Sequence, residues 1–534
     1  MFKTFKDKVH LDHRARIDHC LGHQQRSLIP PILRALLTNV CSLQQSYRVY
    51  SAVHRALNMS QAMKRNASVA RSIMSRLNQS KSCCPHHSGG GSGTVCISRP
   101  NSGASDKLGD YAFEMINSTL RFGKGVTAEI GYDVQNFGAK KPLIITDPNI
   151  AKTRAFKEVA NSLTKLGIQF EVFTDVRCEP SIDSMTSAVE FARAKEYDLF
   201  VAVGGGSVID TTKAASLLAN NRSAGFLDFV PAPFGQGQIP PKPMKPLIAV
   251  PTTAGTGSET TGVSIFDLPE KKSKAGFRLR SIKPTLAIVD PLNMLTMPRN
   301  VAIYSGFDVL CHALESFTAT PYYKRTPRPA RPDLRPVYQG SNPVSDVWAR
   351  EALKIINKYF RRSIFDPNDV EARSEMTFAS SFAGMGFGNA GIHLCHGLSY
   401  PISSQGKKYI DKDYGQDHAL IPHGLSVVTT APADFIFTAP TDPAKHLEAA
   451  NLLGANLPEN ASIDQIGNGL ADVLRGFLKD FGCPNGLSAM GFDRGSVDSL
   501  AGAAMGFINT SKLAPRESDL DAVSAIYEKS LKAY

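Results

Sequence analysis

From about residue 111 the chain alternates short apolar runs with stretches of helical period. Runs at 142–146, 168–173, 198–203, 246–250 and 285–289 have strand length and little internal polarity, the pattern of strands buried on both faces of a parallel sheet. Between them, 151–166, 181–195 and 207–219 repeat apolar residues at helical spacing; Gly167 closes the first and Ser181 offers an N-cap for the second. This alternation predicts an α/β, doubly wound, Rossmann-like parallel sheet over residues 106–299. After about residue 300 the strand signals cease, and 301–318, 344–362, 370–384, 420–437, 463–481 and 519–531 read as helices. An all-α second domain over residues 300–534 is expected. Two long segments interrupt it, a Pro/Arg-rich one at 321–340 and a polar one at 403–417, and loops of that length are usually functional or mobile.

The first 105 residues follow neither pattern. No Asp or Glu occurs from His19 to Ser105, while Arg, Lys and Ser recur. That composition is expected of a targeting leader into the mitochondrial matrix. The stretch from Met59 alone spaces Val69, Ile73 and Leu77 along one helical face, which leaves Met1 and Met59 as alternative starts. A Gly/Ser run at 88–93 reads as a flexible linker.

Charge changes the picture only once it is located. The formal net charge of +12 resides wholly in residues 1–105, which hold 15 Lys and Arg against three acids. The remainder carries 45 basic and 45 acidic residues, so no basic body exists to bind nucleic acid. The body's four cysteines (Cys178, Cys311, Cys395, Cys483) are too scattered for a disulfide framework and fit a reducing compartment. Cys83, Cys84, His86 and His87 lack a second ligand pair at finger spacing. No apolar run reaches the roughly 18 residues of a transmembrane helix, so no membrane insertion is expected.

Two constellations carry chemistry. Gly204-Gly205-Gly206-Ser207 lies between a predicted strand and helix, where backbone N–H groups approach a phosphate at the positive end of the helix dipole. A second turn, from Pro251 through Thr252, Thr253, Gly255, Thr256 and Gly257 to Ser258 and Glu259, follows another strand. Together they predict a dinucleotide crevice. The other constellation is histidine. The body has six, and His312, His393, His396, His418 and His423 cluster in two regions. Asp308 and His312 are four apart on a predicted helix and project from one face. His396 and His423, each followed by glycine at a helix start, would complete a site of one carboxylate and three imidazoles, suited to Fe(II) or Zn(II).

These motifs, in this order, resemble the iron-containing alcohol dehydrogenase superfamily over residues 111–534. The stretches 110–115, 338–348 and 386–401, with the two inserts, resemble the branch that exchanges hydride between hydroxy acids and oxo acids. The resemblance implies the dehydroquinate synthase-like architecture, with metal ligands Asp308, His312, His396 and His423. It implies pyrophosphate on Gly205, Gly206 and Ser207, with Asp210 in the same motif, and Thr252, Thr253 and Ser258 lining the cleft. Asp147 would hold the adenosine ribose and favour tightly bound NAD over NADP, and Lys274 would lie near the nicotinamide ribose.

In many members a histidine four residues beyond the third ligand relays protons; here that position is Tyr400, so His393 and His418 are alternatives. The branch implies oxidation of 4-hydroxybutyrate to succinic semialdehyde with reduction of 2-oxoglutarate to D-2-hydroxyglutarate. The substrate carboxylates require a cation, and Arg325, Arg328, Arg335, Lys407 and Lys408 are the candidates in the inserts. An ordinary NAD-dependent dehydrogenase releasing NADH is the competing expectation. The partners expected are small hydroxy and oxo acids, with a homodimer left open.

Overall fold

Every residue of Leu199–Gly204 is buried, and its side chains divide alternately between two apolar clusters. Phe200 and Ala202 join Leu143, Ile145, Leu247 and Ala249 on one face. Leu199, Val201 and Val203 join Ile144, Ile248, Val250 and Ile288 on the other. Strands buried on both sides need cover on both sides, and helices supply it. The structure is a computed structural model and describes residues 108–534, apart from Lys272, Lys407 and 416–418. The leader expected over 1–105, and His418, lie outside the described residues.

The strands are β1 (Thr119–Phe122), β2 (Pro142–Ile145), β3 (Glu171–Phe173), β4 (Leu199–Gly204), β5 (Leu247–Pro251), β6 (Val263–Leu268), β7 (Ser273–Arg278) and β8 (Leu286–Val289). Six form one sheet in the order β1-β8-β5-β4-β2-β3, every pair parallel. Helices α1 (Ile130–Asn136) and α2 (Arg154–Lys165) cover one face through Ile130, Val134, Val159 and Leu163. Helices α3 (Ile182–Ala194) and α4 (Gly206–Asn220) cover the other through Met185, Val189, Val208 and Leu217. Ser181 caps α3 as expected, in a reciprocal box with Ser184. The register Gly204↔Pro251 sets the two Gly/Thr-rich turns side by side at the carboxyl edge of the sheet.

Strand β1 and the antiparallel hairpin β6–β7 add to the predicted set. The hairpin's second strand is polar in sequence yet buries Lys274, which pairs across the ladder with Asp267.

Beyond residue 299 the described elements are helical: α5 (Arg299–Thr318), α6 (Pro343–Phe365), α7 (Val370–Ala390), α8 (Leu394–Gln405), α9 (His423–Thr438), α10 (Pro443–Leu452), α11 (Ile463–Phe481), α12 (Val497–Ser511) and α13 (Leu520–Ser530). They enclose a third and larger core. Helix α5 is buried along nearly its whole length, so its polar residues Asp308, His312 and Glu315 face protein rather than water. Helices α10 and α12 were not expected; α8, expected only as a start at His396, carries an internal proline, Pro401.

The two inserts are anchored to different parts of the body. The segment 321–340 clasps the start of the described chain: Arg335 pairs with Asp110 at 3.0 Å, Arg328 donates to the Gly109 carbonyl and Gln339 exchanges two hydrogen bonds with Glu114. The second insert is tied to the start of α5, where Asn300 N–H donates to Asp413. Among the described residues no helix is long and apolar enough to cross a membrane.

Candidate active site

Helix α5 presents Asp308 and His312 from one face, and α8 and α9 bring His396 and His423 from elsewhere in the chain to meet them. The Nε2 atoms of His312, His396 and His423 lie 3.6, 3.3 and 3.6 Å from Asp308 Oδ1. Ligand atoms around a tetrahedral ion at about 2.0–2.1 Å stand about 3.3 Å apart, a spacing these atoms could offer a shared cation. Asp308, His396 and His423 form one compact ligand group, and the His312 ring stacks on His396 with centroids 4.5 Å apart.

The electrostatics also ask for a cation. Burial pushes His312 down to about 3 against the pull of Asp308, leaving a neutral ring with a free lone pair. Asp308 is held ionised; burial opposes its charge, but the surrounding imidazoles more than offset it. His396 goes the other way. Its burial is outweighed by Glu315 and Asp308, which raise it to about 10 and so demand positive charge between two carboxylates.

Glu315 orders this site from behind. It accepts the backbone N–H groups of His393 and His396 at 2.9 and 3.3 Å, at the start of α8, and is hydrogen-bonded to His396 Nδ1. That contact fixes the tautomer and aims Nε2 at Asp308. Glu315 was not singled out from sequence, although it shares a face of α5 with Asp308 and His312 at i+7 and i+3. A second buried group, Glu315, Cys395 and Asp434, is already spent: Glu315 on α8, and Cys395 on Asp434 at 3.0 Å.

A cleft of about 1210 Å³ runs from Asp147 past Gly205, Gly206, Ser207, Thr252 and Thr253 to Asp308 and His423. Helix α4 starts at its wall with no side-chain cap, so its first N–H groups face the cleft. A Cβ at Gly206 would stand 2.4 Å from Thr256 Cγ2, so this glycine lets the two turns touch. Asp147 Oδ1 accepts from Asn149 and Ile150 N–H at 2.8 and 3.0 Å, leaving its second oxygen toward the cleft. Lys412 to Gly415 of the second insert line the opposite side.

A smaller cavity of about 120 Å³ meets the cleft at Ser207, Asp308 and His423, and reaches past His312 and His396 to Tyr400, Tyr338 and Arg278. Asp210, Ser258 and Lys274 fall on this cavity rather than on the cleft. Asp210 accepts from Ser258 and from Ile265 N–H, which ties α4 to the second turn and β6. Burial opposes the charge on Lys274, but Asp267 and Glu179 outweigh it and raise the pKa.

Burial pushes the Tyr400 phenol up to about 12, so it stays a neutral hydroxyl. His393 lines neither cavity; its Nε2 lies 3.0 Å from Thr318 Oγ1. The insert cations also stand elsewhere. Arg325 donates to the Tyr338 carbonyl, Arg328 and Arg335 hold the 109–110 segment, Lys408 lines neither cavity, and Lys407 lies outside the described residues.

Residues 117–291 match the sequence profile of the iron-containing alcohol dehydrogenases, and 337–531 that of the family's C-terminal region. The chain belongs to the iron-containing alcohol dehydrogenase family. A chain of Caenorhabditis briggsae named mitochondrial hydroxyacid-oxoacid transhydrogenase is 61% identical over 88% of this chain and 100% of its own length. One of Mus musculus with the same name is 52% identical over 85% of this chain and 97% of its own. Among solved structures, an alcohol dehydrogenase from Oenococcus oeni shares the fold with a TM-score of 0.66, at 24% identity, over 78% of this chain and all of that one. Membership of the iron-containing alcohol dehydrogenase family implies NAD(H) and a divalent metal, and the cleft and the ligand group fit both.

Proposed function

We propose that this chain is a hydroxyacid–oxoacid transhydrogenase of the mitochondrial matrix. It would oxidise 4-hydroxybutyrate to succinic semialdehyde while reducing 2-oxoglutarate to D-2-hydroxyglutarate. The observation that carries the reading is the junction of a nucleotide-sized cleft and a small pocket at a group of one carboxylate and three imidazoles. The likeness to chains bearing that name narrows an alcohol dehydrogenase to an exchanging one. Their mitochondrial designation agrees with the acid-poor, basic leader.

In this reading residues 106–299 bind the dinucleotide and 300–534 supply the metal ligands. Asp308, His312, His396 and His423 would hold the ion, Fe(II) or Zn(II) by donor set. The N–H groups of Gly205, Gly206 and Ser207 would take the pyrophosphate, and Thr252 and Thr253 would line its path. The second oxygen of Asp147 would accept from the adenosine ribose and repel a 2′-phosphate, selecting NAD over NADP. When bound, the ion supplies Lewis acidity toward the substrate oxygen and the dinucleotide carries the hydride. Ser207, Asp308 and His423 line both cavities, so a substrate carbon in the smaller one would lie beside a dinucleotide in the cleft. Tyr400 would donate a hydrogen bond within the pocket.

The exchange balances without an outside oxidant, since two electrons leave one acid and enter the other. Purified protein mixed with 4-hydroxybutyrate and 2-oxoglutarate, with no NAD added, should form succinic semialdehyde and 2-hydroxyglutarate in equal amounts. Semialdehyde that forms only when NAD is added, with matching free NADH and no need of 2-oxoglutarate, would mark an ordinary dehydrogenase instead.

A further inference from the structure

The pocket beside the metal ligands contains two cations, and one of them is already spent. Lys274 lies 3.1 Å from Asp267 and is hydrogen-bonded to Glu179, so its charge is neutralised twice over. Arg278 stands four residues further along β7, hence on the same side of the strand, and lines the same pocket. Its guanidinium carbon is 4.9 Å from the Phe507 ring centroid, and among the described residues no carboxylate pairs with it. A half-buried arginine facing a cavity with no counter-charge is an anion site awaiting its anion.

The surroundings fit a carboxylate. Tyr400 packs edge-on against the same Phe507 ring, centroids 5.1 Å apart, and Tyr338 lines the pocket beside it. Neither phenol hydroxyl has a hydrogen-bond partner among the described residues. Both phenols are pushed up by burial and remain donors. The other wall is apolar: Phe387 stacks on His312 with centroids 3.8 Å apart. The lining of the pocket therefore combines the Asp308, His312, His396 and His423 group with a fork of N–H donors and two hydroxyls.

We infer that Arg278, with the Tyr338 and Tyr400 hydroxyls, is the subsite for the substrate carboxylate remote from the reacting carbon. This rests on the functional reading above and adds to it. The two acids of the exchange share one fragment: an oxygen-bearing carbon, two methylenes, then a carboxylate. A single cation at a fixed reach from the metal ligands therefore serves both halves of the reaction. Recognition by Arg278 should favour acids of that spacing over shorter ones and over uncharged alcohols.

The test compares wild-type, Arg278→Lys and Arg278→Gln proteins, each loaded with metal and NAD, on 4-hydroxybutyrate, 2-oxoglutarate and butan-1-ol, the last being the same chain without its carboxylate. Arg278→Gln should raise KM for both acids and lower the acid-to-butanol ratio of kcat/KM by about 10–100-fold, the worth of a charged hydrogen bond. Arg278→Lys, which keeps charge but loses the fork, should fall between. Because the ratio is taken within each protein, a folded but less active variant still reports, and Arg278→Lys carries the test if the Gln protein does not fold. A variant that keeps the wild-type ratio and both acid KM values would overturn the anchor while leaving the functional reading in place. Wild-type protein that oxidises butan-1-ol but neither exchanges nor binds the acids would overturn that reading, and the anchor with it.

Discussion

On α5, Asp308, His312 and Glu315 occupy one face, but they do different work. The first two bring their donor atoms together at the proposed metal site, and the third holds the helix that brings His396 to them. Glu315→Gln keeps a hydrogen-bonding side chain but removes the charge that orients His396. Metal affinity, read by competition with a chelator, should fall about 10–100-fold while the helical circular-dichroism signal is kept. His423→Ala removes a proposed ligand, and bound metal and turnover should both be lost. Full metal content in that variant would show that His423 is not a ligand. Asp308 and His312 were legible in sequence from their spacing on a predicted helix, and His396 and His423 from the glycine that follows each at a helix start. Glu315 was not, because a glutamate on the ligand face acquires meaning only when α8 packs against it. Arg278 was hidden for a related reason: it sits on a strand whose polar sequence gives no strand pattern.

The elements that build the cleft meet at two turns packed against each other, and glycine is what lets them meet. Gly206→Ala would place a methyl 2.4 Å from Thr256 Cγ2, forcing apart the turns that line the nucleotide path. Overpacking of this kind costs about 1–3 kcal/mol. We expect a lower melting temperature and a preparation that retains less NAD, read by absorbance of the released nucleotide. Wild-type NAD content in the Gly206→Ala protein would show that the contact is slack. The sheet was legible because its strands are apolar on both faces, and the period-two split between two clusters follows directly from that. The β6–β7 hairpin was not, since burial of Lys274 depends on the partner strand supplying Asp267 at the matching register. The clasp between 110–114 and 335–339 was equally invisible, because each stretch satisfies the polar groups of the other.

At the scale of the whole molecule, charge and compartment were legible from composition alone. All of the net positive charge lies in residues 1–105. A reporter preceded by those residues should be imported into mitochondria, whereas a cytosolic reporter would remove the case for a matrix enzyme. Placement of the inserts was not legible, since sequence shows their length but not which wall they join. The second insert, not the first, lines the nucleotide cleft, where Tyr414 stacks near Tyr304 at 6.3 Å between centroids. Retaining the dinucleotide requires only that its release be slower than turnover, typically about 10 per second. The most direct test of retention uses 4-hydroxybutyrate carrying deuterium at C4, with 2-oxoglutarate and an excess of unlabelled free NADH. If hydride passes across a dinucleotide that stays bound, deuterium appears at C2 of 2-hydroxyglutarate in full, whatever the size of the free pool. Deuterium collecting in free NADH, with 2-hydroxyglutarate labelled only in proportion to that pool, would contradict the account.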